Sequence, residues 1–185
     1  IQSANVAEFD VELFDIKASY RYQTENYGTL NSRLQATVYT NYVFTDKDNS
    51  ETDVLGKQNA RTNIAPPVPD VKLAWNNNWF MNNHSASMSV TWFSAVDHDA
   101  QVVDLYPYDG IFQPPSEIEE DPIVDVRYTY LFDDFFGSEI QATIGINNLF
   151  DYKPTLTGQI GGFESRLINN FYRQYYVTID WVPGG

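Results

Sequence analysis

The chain has 185 residues, a formal net charge of −14, no cysteine, 43% hydrophobic residues and 16% aromatic residues. So high an aromatic content excludes a disordered acidic tail, and the lack of cysteine excludes a disulfide-stapled module or a thiolate zinc domain. The acidic balance argues against nucleic acid, whose phosphates reward Lys and Arg. One domain is the default at this length, and no run of about 18 apolar residues offers a membrane-spanning helix. The opening Ile1-Gln2-Ser3 lacks the basic and apolar regions of an export signal, so the expectation is either a protein that is not exported or a chain without its natural start.

Periodicity then takes over. Val6 to Phe14 alternates loosely, with Ala7, Phe9, Val11 and Leu13 on one parity, and Ile16, Ala18, Tyr20 and Tyr22 continue on the other. The change of step predicts a bulge near Phe14-Asp15. After a turn at Thr24 to Thr29, Leu30, Leu34, Ala36, Val38, Tyr42 and Phe44 alternate with Asn31, Arg33, Gln35, Thr37 and Asn41. That run is about three times the length of a common soluble strand. A long polar stretch, Thr45 to Pro69, precedes Val71, Leu73 and Trp75. An Asn-rich turn at Asn77 to Asn83 then leads to Ala86, Met88, Val90 and Trp92, set against Ser85, Ser87, Ser89 and Thr91. Beyond a second long stretch, Asp97 to Asp121, come Val124, Val126, Tyr128, Tyr130 and Phe132, a turn at Asp133 to Ser138, and Ile140, Ala142, Ile144 and Ile146. A third stretch, Asp151 to Tyr172, precedes Tyr175, Val177, Ile179 and Trp181. The expectation is seven strands and no helix of useful length, joined by alternately short and long connections.

Two architectures present such strands. A secreted β-sandwich that binds carbohydrate through aromatic loops is the alternative. An antiparallel transmembrane β-barrel is favoured by polar faces of small and amide residues, by strands of the 9–11 residues that cross a tilted wall, and by aromatics at the strand ends. Short turns alternating with long loops match periplasmic turns and external loops. Seven strands are odd and too few to close a barrel, so the chain is expected to be the C-terminal portion of a larger one.

The segment Ala142-Thr143-Ile144-Gly145-Ile146-Asn147-Asn148-Leu149-Phe150-Asp151, followed by Lys153-Pro154, resembles the penultimate-strand signature of TonB-dependent outer-membrane receptors. The Gly-rich stretch Gly158 to Gly162 and the closing strand Tyr172 to Trp181 are also similar to that family, as are the turn at Tyr27 to Leu30 and the segment Pro67 to Trp75. The resemblance implies an all-β barrel of about 22 strands with a plug in its lumen, in the outer membrane of a Gram-negative bacterium. Residues 1–185 would supply the last seven strands, with the plug and earlier strands outside this chain. It implies import of a scarce nutrient, a ferric siderophore, other metal chelate or oligosaccharide, driven by the TonB energy-coupling complex through the plug. Partners would be outer-membrane lipid and lipopolysaccharide, the rest of the barrel and its plug, and the nutrient ligand. Trp181 is followed by Val182-Pro183-Gly184-Gly185, a departure from the terminal aromatic on which the family often ends.

Candidate chemistry is sparse. Glu117-Ile118-Glu119-Glu120-Asp121 has carboxylates for a glycosidase pair, but an acidic Pro-rich loop is the simpler reading. Asp97, His98 and Asp99, with Asp104 and Asp109, have the residue types of a hard-cation site, and solvated loop acids compete with that reading. His84 reads as a plain turn residue. No nucleophile triad, phosphate loop or His-x-x-x-His pair is present, so neither enzyme activity nor a cofactor is expected. Asp97 to Asp121 holds eight acids and no Lys or Arg, a composition suited to cation bridges with lipopolysaccharide phosphates. Candidate ligand-binding residues on the external loops are Tyr106, Tyr108, Phe112, Phe163, Arg166, Phe171 and Tyr172. Lys17, Arg21, Arg33, Lys72 and Arg127 are expected to face the lumen and pair with acids of a plug or neighbouring strands, because a charge facing lipid costs about 2–4 kcal/mol at the midplane.

Overall fold

Alternation this regular puts every second side chain on one face, and the computed structural model builds a single sheet from it. It describes residues 7–60, 65–98, 115–119, 121–133, 135–157, 162–168 and 172–183. The strands are β1 (Ala7–Thr24), β2 (Gly28–Asp46), β3 (Glu51–Asp53), β4 (Val71–Met81), β5 (His84–Phe93), β6 (Val96–Asp97), β7 (Glu117–Ile118), β8 (Ile123–Phe132), β9 (Glu139–Asn147) and β10 (Gln174–Val182). The seven long strands pair in the order β1-β2-β4-β5-β8-β9-β10, each antiparallel to its chain neighbour, with β3 beside the end of β2. No helix occurs among the described residues. The sheet is open, since β1 and β10 each pair on one side. A two-sheet sandwich is not formed: beyond the small β6-β7 ladder, nothing packs as a second layer among the described residues.

Register sorts the two faces. Tyr22, Leu30, Trp79, Ala86, Tyr128, Ile144 and Val177 stand side by side across all seven strands. One residue away, Arg21, Asn31, Asn78, Ser87, Arg127, Gly145 and Tyr176 form the matching row on the opposite face. The apolar face carries no Asp, Glu, Lys or Arg from Phe14 to Tyr22, Leu30 to Val38, or along β4, β5, β8, β9 and β10. It is also uncovered, with Ile16 53%, Ile144 58%, Val177 70% and Trp181 64% exposed.

Two local expectations need correction. The bulge lies on β2, not on β1: Leu13 faces Tyr39 and Glu12 faces Asn41, so Thr40 is the extra residue. β1 therefore alternates without interruption, and Tyr42 and Phe44 cross to the polar side instead of continuing the apolar parity of Leu34 and Val38. Ring contacts follow that side, from Tyr39 to Tyr42 to Phe9 to Phe44. The second correction concerns Asn77 to Asn83, which is mostly strand. β4 runs through Asn77 and Asn78 to Met81, and the reversal takes only Asn82 and Asn83, with Asn82 at φ 50°. Asn tolerates that left-handed geometry, so three amides in β4 resembled turn residues while Trp75, Trp79 and Met81 kept strand parity.

The Asn-Leu-Phe-Asp segment fastens the last hairpin. The Asn148 amide N–H donates to Asp125 Oδ1 at 2.7 Å, its side-chain oxygen accepts from the Tyr152 N–H at 2.7 Å, and its Nδ2 donates to the Tyr152 carbonyl at 2.9 Å. Asp151 accepts from the Arg173 N–H at 3.0 Å, at the approach to β10. On the polar face Tyr176 lies across Gly145, where any Cβ would run into the phenol ring. Gly145→Ala is therefore expected to lower stability by about 1–3 kcal/mol, and adding Tyr176→Ala should recover part of that loss. Thermal unfolding of the two variants checks it, and a neutral Gly145→Ala would contradict this packing.

Candidate functional site

Short reversals at 25–27, 82–83 and 133–138 lie at one end of the sheet, and the long connections gather at the other. At the loop end they knit together. Phe93, Val96, Ile118 and Ile168 form one buried cluster, with Phe163 and Leu167 packed against it. Phe44, Val54 and Ala65 form a second, joined by Tyr42. Backbone bonds link the loops: Asp97 N–H to the Gly56 carbonyl, Gln58 N–H to the Asp97 carbonyl, and His98 N–H to the Ser116 carbonyl.

The polar centre of this cap spans the first and last long loops. Glu164 is 1% exposed and accepts from Gln58 Nε2 at 2.9 Å and from Arg166 Nε and Nη2 at 2.8 and 2.9 Å. Arg166 Nη2 also donates to the Gln58 carbonyl at 3.1 Å. Burial pushes the Glu164 carboxyl up, but the hydrogen bonds from Arg166 and Gln58 outweigh it and hold the group below its ordinary value; the same pair raises Arg166.

Several expected ligand residues thus have structural partners. Phe163 packs into the cap core, and the Arg166 guanidinium is committed to Glu164 and Gln58. Tyr172 is 57% exposed just before β10. Tyr106, Tyr108, Phe112 and Phe171 lie outside the described residues, as do Asp99 and Asp104. Asp97 sits on β6, and no group of three or more metal-ligating side chains occurs among the described residues.

A different surface emerges on the polar face just below the cap. The Thr40 bulge turns Tyr42 towards Phe9, with ring centroids 5.6 Å apart and nearly perpendicular, and stacks it on Tyr39 at 6.2 Å. The Lys72 ammonium sits 5.9 Å from the Tyr39 ring centroid. Phe9, Val11 and Leu13, each opposite β2 above or at the bulge, are 40–43% exposed. Lys72 also borders a cavity of about 510 Å³ lined by Thr91, Phe93, Asp125, Asn147, Arg166 and Gln174. An aromatic wall, an ammonium and a hollow of mixed polar and apolar lining can hold a flat ring bearing a polar or anionic group. Tyr42 escaped sequence reasoning because its face depends on the bulge; the available signals were Phe9 and Tyr39, aromatics on the polar parity of their strands.

Farther from the cap, the polar wall is built from Asn31, Gln35, Asn76, Asn78, Ser87, Ser89 and Thr129. All five expected lumen cations, Lys17, Arg21, Arg33, Lys72 and Arg127, belong to this face. Among the described residues the ion pairs are Lys57–Asp53 and Arg166–Glu164, so none of the five has a carboxylate within ion-pair distance. Arg33 and Arg21 border a hollow of about 600 Å³ with Asn31, Gln35, Asn76 and Asn78.

No family model matches the sequence, and no curated protein or solved structure matches it.

Breaking the cap clamp with Arg166→Ala strands a buried carboxylate and is expected to destabilise the cap by about 3–5 kcal/mol. Loss of hydrogen-exchange protection at Gln58 and Ile168, with the strands unaffected, is the readout. Because the folded Glu164 value lies below the ordinary 4.5, its contribution is fully present above that pH and fades as pH falls through the folded value. Protection at Gln58 should accordingly hold at about pH 5 and fail only in stronger acid, whereas Glu164→Gln should flatten that dependence.

Proposed function

We propose that the chain is the C-terminal wall of a TonB-dependent receptor in the outer membrane of a Gram-negative bacterium, a transporter for a scarce nutrient. The observation that carries this reading is the pair of unlike faces: an apolar face that, from Phe14 to Tyr22 and across the facing strands, holds no ionised residue and is covered by none of the described residues, backed by a face of amides, hydroxyls and cations. Water penalises the first face and hydrocarbon would penalise the second, so the sheet suits a boundary between lipid and a wet lumen. β4 covers about 33 Å of strand, or about 25 Å of height at a tilt of about 40°, which matches the apolar band of such walls. On β1 the acids Glu8, Asp10 and Glu12 share the outer face immediately beyond Phe14, where that band would end.

In this reading the hairpin end is periplasmic and the cap is external. The two open edges join the remaining strands of a barrel of about 22, and the unpaired lumen cations meet the plug. The aromatic wall of Phe9, Tyr39 and Tyr42 with Lys72 receives the ligand, a ferric siderophore, other metal chelate or oligosaccharide. Energy from the TonB complex, acting through the plug, opens the route, and no covalent bond is made or broken. Outer-leaflet lipopolysaccharide and lipid contact the apolar face.

The intact protein is expected to fractionate with outer membranes and to change gel mobility on boiling; full solubility without detergent would refute the proposal. Asp48→Cys should react with an impermeant thiol reagent on intact cells and Asn26→Cys should not, and the opposite pattern would invert the topology. Tyr39→Ala and Lys72→Ala should each weaken ligand uptake by about five- to tenfold through lost ring and cation contacts, measured as the half-saturating concentration.

A further inference from the structure

The cations of the polar face are not scattered. Below Thr40 the polar side of β1, β2, β4 and β5 carries Lys17, Arg21, Arg33 and Lys72 against a single carboxylate, Asp15. Register puts the four in successive cross-strand rows: Lys72 beside Thr37, Lys17 beside Gln35, Arg33 beside Ser19, and Arg21 beside Asn31. Successive rows on one face are two residues apart, about 7 Å along the strand. One positive charge therefore stands at each step from the Tyr39 ring towards the hairpin end. Asp15 is engaged, since its Oδ1 accepts from Thr37 Oγ1 at 2.7 Å, and Arg21 Nη2 donates to a neutral group, Gln23 Oε1, at 3.3 Å. The space in front of these rows is continuous. The hollow of about 600 Å³ beside Arg33 and Arg21 shares Asn76 and Asn78 with one of about 290 Å³ beside Arg127, which shares Asp125 and Asn147 with the cavity under the cap.

We infer that the four cations form a ladder for an anion: the ligand taken up carries net negative charge, passes down this strip of wall and rests between Arg33 and Arg21. The inference deepens the function proposed above and rests on it. Arg21 and Arg33 are diagonal neighbours on adjacent strands, about 7–8 Å apart at the backbone, so both guanidiniums can reach one carboxylate or phosphate group. Asn31, Asn76 and Asn78 border the same hollow and add neutral N–H donors, which satisfy acceptors without the hold of a full charge. Steps of about 7 Å fall inside the screening length of about 8 Å at physiological salt, so an anion leaving one cation is already attracted by the next. A neutral oligosaccharide gains nothing from that spacing, and a cationic chelate is repelled at every row. A fixed carboxylate of a protein partner needs one socket, whereas one cation per row along joined hollows fits a moving group. In the resting receptor the plug stands before this strip, and the ladder serves once the plug yields.

Because the chain has no cysteine, a single thiol can report the local field. Asn76→Cys, beside Arg33 in the ladder row, is introduced into the intact protein, cysteine-free elsewhere, in energised cells. The probes are two thiosulfonate reagents of like size, one ending in a sulfonate and one in a trimethylammonium, each rate taken relative to a small free thiol. The anionic reagent is expected to react about tenfold faster or more, the scale of electrostatic focusing in a charged cleft. Adding Arg21→Gln and Arg33→Gln should bring the ratio close to one, and Thr178→Cys, on the same face beside Asp180, should show no anionic preference. Equal rates at Asn76→Cys, or a faster cationic reagent, would mean that a partner's carboxylates neutralise the row and would overturn the inference. So would no reaction with either reagent, which means a strip closed to solutes, or a preference that survives both Arg→Gln changes. Membrane fractionation and gel mobility on boiling are read in the same cells. Where both behave as an outer-membrane barrel, an adverse ratio sinks the ladder alone, whereas a protein soluble without detergent sinks the receptor reading with it.

Discussion

A layer of strands with one apolar face needs something to cover that face, and among the described residues of this chain nothing does. In most β proteins a second sheet or a helix layer supplies the cover. Here the seven long strands spend themselves in a single meander, and the described residues outside it collect at one end as a cap. Everything else follows from that omission. Charges are confined to the polar face, the loops and the outer rim; the buried clusters lie in the cap, not between layers; and the wall is held by ladder hydrogen bonds and cross-strand rows rather than by an enclosed core. The stability of the sheet therefore depends on the medium against its apolar face to a degree that a sandwich never faces.

Strand number, order of alternation and the two unlike faces were legible because a period of two survives in sequence wherever a face is uniform. The last hairpin was legible for a different reason: Asn148 and Asp151 each satisfy specific backbone groups, so their identities and spacing carry structural information. What failed did so at points where one residue has two meanings. Asn77 and Asn78 have the composition of a turn and the parity of a strand, and the flanking tryptophans decided between them. Thr40 is one residue with none opposite it in the ladder, which no composition window detects, yet it moves Tyr42 and Phe44 to the other side. The packing of Phe163 on the Phe93 cluster and the bond from Arg166 to Gln58 join residues too far apart in sequence for any local pattern to reveal, although Glu164, the other partner of Arg166, lies only two residues away.

The bulge also explains how one wall serves two environments along its length. Below Thr40 the apolar side chains of β2 point one way; above it the aromatic ones point the other, and the partner strand swaps polarity in step through Phe9, Val11 and Leu13 facing inward and Glu8, Asp10 and Glu12 outward. A single inserted residue thus exchanges which side of the sheet carries the apolar side chains, without changing the direction of the strand. It sets the aromatic residues Phe9, Tyr39 and Tyr42 on one face and the acids Glu8, Asp10 and Glu12 on the other.

The clamp between Gln58 and Glu164 has a consequence in time as well as in space. Every ladder in the wall joins chain neighbours, so each hairpin can zip locally, whereas the clamp closes a loop of 106 residues and bears the corresponding closure entropy. The cap is consequently the last part of the described structure to take shape. It forms only once β4 through β9 stand in register, so a slipped strand anywhere among them leaves the clamp unmade.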